Sequence, residues 1–201
     1  RNNWLVAVVE TDGEAAVAAA DISTGEFVGT RVPADRLEAE LARFEPSEVL
    51  LPKAREGQNP AEGAHATYRP DWLFDPDMAA DEIRRHYTLH TLDGLGFQEG
   101  DAPLIGALGA LLAYVREVQP TSADGLRRPQ VERPGEAMAL DEMTRRNLEL
   151  VAPLRADVPP GAPATLMDVI DETVTAMGGR LLRRWLLRPL VAPEGVWARQ
   201  K

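Results

Sequence analysis

Between residues 4 and 33 the chain sets three short apolar runs between turn signals, and this arrangement restricts its first part to an antiparallel meander. Trp4-Leu5-Val6-Ala7-Val8-Val9-Glu10 ends at Asp12-Gly13, and a second apolar run follows over 15–22. Ser23-Thr24-Gly25 then leads into an alternating stretch from Glu26 to Val32 that Pro33 stops. Asp-Gly and Thr-Gly let the backbone reverse, and short apolar runs between such turns read as hairpin strands. Over 34–44, Leu37, Leu41 and Phe44 recur at helical spacing, and Pro46 separates this helix from Val49-Leu50-Leu51, a short buried strand halted by Pro52. Three strands, a helix and a fourth strand make an α/β unit.

From Lys53 to Pro70 the sequence is rich in Gly, Pro, Ala and charge without an apolar period, which predicts a poorly ordered surface excursion. Residues 77–90 suit a helix capped by Asp77. Residues 102–118 give the strongest helical signal of this half, with Leu104, Ile105, Leu108, Leu111, Leu112 and Val115 on one stripe. Gln119-Pro120 ends that helix, and the Pro, Arg and Gly of 121–135 read as a linker. Beyond it a helix is expected from Asp141, as N-cap, through Val151. After a Pro/Gly break at 157–163, one long helix is expected over 165–188. On it Val169, Ile170, Val174, Met177, Leu181, Leu182, Trp185 and Leu186 recur every three or four residues, and Arg180, Arg184 and Arg188 line another face.

Charge separates the two parts. The net charge is −10; residues 1–120 hold 10 Lys+Arg against 21 Asp+Glu, and residues 121–201 hold 12 against 11. Binding to nucleic acid requires Lys and Arg to neutralise phosphates, so the acidic part suits docking of a protein better than of a DNA backbone. No cysteine is present. That excludes a disulfide framework, a thiolate zinc site and a Cys nucleophile, and fits a reducing cytosol. No apolar run reaches the roughly 20 residues of a membrane span, so no membrane partner is expected. The first residue is Arg1 rather than Met, which suggests a piece of a longer protein.

Four stretches carry a family resemblance. They are Ala20-Asp21-Ile22-Ser23-Thr24-Gly25-Glu26-Phe27, the run Gly109-Ala110-Leu111-Leu112-Ala113-Tyr114-Val115, the segment from Met138 to Leu150, and the segment from Asp171 to Leu190. In this order and spacing they are similar to the MutS family of DNA mismatch-repair proteins. The resemblance implies an α/β connector domain like the ribonuclease H fold, a mixed sheet with flanking helices, over 1–120. A linker at 121–137 and the first helices of an all-α core domain at 138–201, incomplete here, would follow.

In such a protein this section is non-catalytic. It transmits between the mismatch-reading and ATPase domains and docks a MutL-like partner through the connector. Mismatched duplex DNA, ATP with magnesium and homodimer formation belong to the full-length parent, a protein of the bacterial cytoplasm associated with the nucleoid. No Gly-x-x-x-x-Gly-Lys-Ser/Thr phosphate loop occurs in this sequence, and no catalytic, cofactor or metal residue is assigned within it.

Several individual residues invite a chemical reading. Asp21 could suggest the metal-binding acid of a ribonuclease H-like nuclease, but that chemistry needs several carboxylates converging on metals about 4 Å apart. Asp21 with Gly25 is better explained as a tight turn satisfied by Asp, Ser and Thr side chains. His86 and His90 form an i, i+4 pair with no accompanying carboxylate motif, and His65 stands apart. Asp141 reads as a helix start, and Asn147 as an amide bonding across from a helix interior. Thr173 and Thr175, with Gly178 in mid-helix, suggest a joint within a buried strut spanning 171–190. Arg180, Arg184 and Arg188 face DNA weakly or form salt bridges. Two other functions therefore compete with the connector reading: a metal-dependent nuclease and a stand-alone DNA-binding module.

Overall fold

The computed structural model describes residues 4–133, 135, 137, 138, 140, 142–154 and 163–199, with 142, 184, 198 and 199 described by their backbone alone. The chain divides into two compact units, 1–134 and 135–201.

Unit 1 is built on a six-stranded mixed sheet. Its strands are β1 (Trp4–Thr11), β2 (Glu14–Asp21), β3 (Glu26–Pro33), β4 (Glu48–Pro52), β5 (His65–Arg69) and β6 (Gln130–Glu132), in the order β5-β4-β1-β2-β3-β6. The first three form the antiparallel meander, whereas β4 joins β1, β5 joins β4 and β6 joins β3 in parallel. Helix α1 (Leu37–Phe44) covers one face; α2 (Pro76–Tyr87) and α3 (Ala102–Val118) pack together on the other, followed by the short α4 (Pro120–Asp124).

Burial on both faces explains the nearly continuous apolar character of β1 and β2. Successive side chains of a strand point to opposite faces, so Leu5 and Ala7 join the α3 side, and Trp4, Val6 and Val8 join Leu37, Leu41 and Phe44 on the α1 side. On the α3 side β2 presents only Ala16, Ala18 and Ala20, small enough for Leu104, Leu108, Leu111 and Leu112 to lie over them. A Cβ on Gly109 of α3 would fall 2.3 Å from the Ala79 Cβ of α2. Glycine there permits the two helices their close approach.

Three expectations for unit 1 need correction. The excursion at 53–70 contains a 3-10 turn at Lys53–Arg55 and the edge strand β5, paired with β4 from Glu48↔His65 to Pro52↔Arg69. Pairing on one side only lets an edge strand carry the polar, half-exposed sequence His65-Ala66-Thr67-Tyr68-Arg69. Helix α2 is capped by Asp75 instead of Asp77, since the Asp75 carboxylate accepts the amides of Asp77 and Met78 at 3.0 and 3.1 Å; Pro76, with no amide to satisfy, occupies the first helical position. Finally, the stretch read as a linker carries α4 and β6.

Unit 2 contains α5 (Glu142–Asn147), α6 (Leu166–Ile170), α7 (Ala176–Leu187) and α8 (Pro193–Arg199). A bridge from Ala137 to Leu190 and a Met138 amide to Pro189 carbonyl bond of 2.8 Å tie its two ends. The single helix expected over 165–188 is instead two. Thr165 and Asp168 form a reciprocal capping box that starts α6. Asp171 then accepts the Thr173 amide and hydroxyl at 3.0 and 2.6 Å, a local turn that competes with helix continuation. The helix expected to run through Val151 stops at Asn147, and Glu149 adopts a left-handed φ of 46°. The 171–190 segment is also not a buried strut: residues 171–177 are exposed, and Val174 is 99% so.

Candidate functional site

Asp21 closes β2 with its side chain buried. Its Oδ1 accepts the Ser23 amide at 2.9 Å and the Ser23 hydroxyl at 2.6 Å, while its carbonyl accepts the Gly25 amide at 2.9 Å. Gly25 has a φ of 71°, and a Cβ there would lie 2.2 Å from the Gly125 carbonyl oxygen. The Gly25 carbonyl accepts the Arg127 amide at 2.8 Å. This acid is therefore engaged in its own turn, and the turn holds the chain that leaves α4. Among the described residues, no three His, Asp or Glu side chains group so as to hold a metal ion.

The histidines stay apart. His65 opens the edge strand, and α2 ends at Tyr87 with Thr88 left-handed, so His86 and His90 do not share a helix. His86 stacks edge-on against Tyr87, and burial, with the charge of Arg116, pushes its pKa down. Tyr87 donates to the Arg127 carbonyl at 2.8 Å, and burial raises its phenol pKa.

In unit 2, Asp141 lies outside the described residues. Asn147 is the exposed last residue of α5, not an interior helical residue. Thr173 lies in the break between α6 and α7, and the Thr175 hydroxyl accepts the Gly178 amide at 3.0 Å, which places Gly178 in the first turn of α7 and not in mid-helix. The Thr173 hydroxyl and amide hold the Asp171 carboxyl below its usual pKa. Arg180 is exposed on α7, Arg184 is described by its backbone alone, and Arg188 lies half-buried just beyond the helix. Arg180 and Arg188 each have an interaction partner.

The most developed polar cluster lies where the chain leaves the sheet of unit 1. Asp101, at the start of α3, has a fully buried side chain. Its Oδ1 accepts from Arg133 Nη1 at 2.9 Å and from Arg31 Nη1 at 3.2 Å; its Oδ2 accepts from Arg133 Nη2 at 2.6 Å and the Gln98 amide at 2.8 Å. Burial opposes ionisation of Asp101. The hydrogen bonds from Arg133 and Gln98, with the charges of Arg133 and Arg31, outweigh it and hold the pKa below the usual value. Arg133 also donates to the Gly96 carbonyl at 2.7 Å.

On the opposite face Glu132, 5% exposed, accepts from Arg43 Nη2 at 2.8 Å. Arg43 is steadied by Glu40 at 3.1 Å and lies 4.1 Å over the Phe44 ring. A similar cluster pins the other edge: Glu48 of β4 accepts from Tyr114 of α3 at 2.5 Å and from Thr67 of β5, and Arg69 pairs with Glu117. Burial and the hydrogen bond to Glu48 push the Tyr114 phenol up to about 12.

Comparison with known proteins fits this arrangement. The family model for MutS domain II matches residues 3–127, and that for MutS domain III matches residues 143–201. The chain belongs to the MutS family. It is 40% identical over 213 residues to a DNA mismatch repair protein MutS of Synechococcus sp. (strain CC9605), covering all of this chain and 23% of that protein. The MutS of Solibacter usitatus (strain Ellin6076) is 39% identical over 198 residues, 94% of this chain and 22% of that protein. The MutS of Prochlorococcus marinus (strain MIT 9303) is 38% identical over 225 residues, all of this chain and 23% of that protein. The chain thus spans less than a quarter of the length of these MutS relatives. Its residues thus match MutS domains II and III. No helix among the described residues is long and apolar enough to cross a membrane.

Sequence reasoning missed Asp101, Arg133, Glu132 and Arg43 as a group. Asp101 resembles a helix cap in sequence, yet its carboxylate makes no cap bond to α3 and reaches Arg133, 32 positions later. Nothing local in the sequence marks such a pairing.

Proposed function

We propose that this chain is the relay section of a mismatch-repair protein: it couples mismatch reading to ATP hydrolysis elsewhere in the full-length protein and docks a MutL-like partner through residues 1–120. The supporting observation is the bidentate Arg133–Asp101 pair, which anchors the last residues of unit 1 to the buried start of α3. A load reaching the connector surface then passes through a packed sheet to residue 133. The acidic balance of residues 1–120, 10 Lys+Arg against 21 Asp+Glu, suits docking of a protein with a basic face.

In this reading mismatched duplex DNA, ATP with magnesium and homodimer formation are properties of the full-length protein, which works in the bacterial cytoplasm at the nucleoid. No cofactor belongs to the section itself. Arg180, Arg184 and Arg188 serve salt bridging or, weakly, DNA phosphate.

Chemical cross-linking of the 201-residue chain to a MutL-like protein tests the docking. Cross-links are expected within residues 1–120. Contact confined to residues 121–201 overturns the proposal.

A further inference from the structure

The exit strand is short and unusually held. β6 makes only three residue pairs with β3, Val28↔Gln130, Gly29↔Val131 and Thr30↔Glu132. So brief an edge pairing adds little stability alone. Its last residue and the one that follows nevertheless carry opposite charges to opposite faces: Val131 packs on the α3 side, Glu132 turns to Arg43 of α1, and Arg133, just past the strand, turns to Asp101 at the start of α3. Upstream, the Arg127 amide and carbonyl are bonded to Gly25 and Tyr87, both at 2.8 Å. Between that anchor and the ion pairs, residues 128–133 form a strap fixed at its two ends.

We infer that Glu132 and Arg133 form a two-sided releasable pin, so that β6 can leave the sheet as a unit, back to Arg127, while β1 to β4 stay folded. The separability follows from where the stability lies. The two apolar clusters of unit 1 are filled mainly by β1, β2, β3, β4 and the helices, with β5 and loop residues at their margins, and β6 contributes only the half-buried Val131. Loss of the strap therefore uncovers little apolar area, whereas loss of either ion pair takes a charged hydrogen bond from the buried Asp101 or Glu132 carboxylate. Local opening with a free energy well below that of global unfolding is the consequence. This rests on the relay reading for its purpose, a connector whose attachment to the following chain can be tightened or loosened, but its test does not involve a partner.

Hydrogen–deuterium exchange of the whole 201-residue chain tests the pin. In D101N, in R133Q and in E132Q, peptides covering 128–134 are expected to exchange roughly tenfold faster or more, and in parent and variants alike they exchange well ahead of β1, β2 and β3. R133Q, which alters a partly exposed side chain, reads the same contact should D101N fail to fold. The double variant E132Q/R133Q is expected to open faster than either single. Unchanged exchange at 128–134, exchange there no faster than in residues 4–33, or a double no faster than a single each overturns the two-sided pin. Retained cross-linking to a MutL-like protein alongside such a failure leaves the docking proposal standing, so the two ideas fail separately.

Discussion

The two units use helical periodicity of similar clarity to different ends. In α3 the stripe at Leu104, Leu108, Leu111 and Leu112 is wholly buried beneath the sheet and α2. In unit 2 the stripe through Val169, Val174, Met177 and Leu181 is 66%, 99%, 55% and 44% exposed. An amphipathic pattern specifies only half of a contact; the other half must come from elsewhere in the chain. Unit 1 supplies its own, through a β2 face of alanines. Local devices hold the helices of unit 2 instead, notably the Thr165–Asp168 capping box and the Asp171–Thr173 turn.

The largest effect that separates the units comes from deleting a core side chain. Leu108→Ala in α3 is expected to lower stability by about 2–5 kcal/mol, because the cavity lies between sheet and helix with little room to relax. Leu181→Ala, on a residue 44% exposed, should cost well under half as much. Urea denaturation of both variants, read by far-UV circular dichroism, compares them. Equal losses would mean that unit 2 possesses a core the burial pattern does not reveal.

Next in size is Asp101→Asn, expected to cost about 1–3 kcal/mol at neutral pH through the loss of charged hydrogen bonds to Arg133 and Arg31. The folded-state pKa of Asp101 is depressed, so its carboxylate contributes fully above the unfolded value, near 3.9, and loses that contribution as pH falls through the folded value. The gap between parent and variant should therefore be constant from pH 7 to about 5 and close at lower pH. Denaturation midpoints measured across that range check it; a gap that widens on acidification contradicts the assignment.

How much was legible in the sequence follows the same division between local and distant causes. The meander, α1, β4 and α3 could be read because alternation, helical spacing and Gly or Pro punctuation lie within a few residues of one another. β5 and β6 were hidden because edge strands of five and three residues need not be apolar on both faces. The break at 171–175 was written in Asp171, Thr173 and Thr175, residues whose side chains compete with helical backbone bonds, but the apolar period running across it masked the signal. The Asp101–Arg133 and Arg43–Glu132 pairs connect residues separated by 32 and 89 positions, and charge alone did not say which of many arginines each acid would meet.

Thr165→Ala tests whether capping carries unit 2. Its hydroxyl accepts the Asp168 amide at 3.1 Å, and the Asp168 carboxylate accepts the Thr165 amide at 3.0 Å. Removing the hydroxyl should cost about 1 kcal/mol, localised to α6, with exchange of the 166–170 amides as the readout. The same substitution at a comparable cap in unit 1, Asp75→Ala, is expected to leave the core of that unit protected, since α2 is held by Ile83 and Ala79 against α3 as well as by its cap.

The smallest effect is expected at the most exposed apolar residue. Val174 is 99% exposed in the break between α6 and α7, so Val174→Ser removes no contact within unit 2 and should change the stability of the isolated chain by no more than about 0.5 kcal/mol. The substitution also replaces a β-branched apolar group with a hydroxyl where water already surrounds it, so solubility should rise rather than fall. A loss above about 1 kcal/mol in the denaturation midpoint analysis would mean that Val174 is covered in solution, and the contrast between a self-sufficient unit 1 and a locally held unit 2 would then be wrong at the position where it is most extreme.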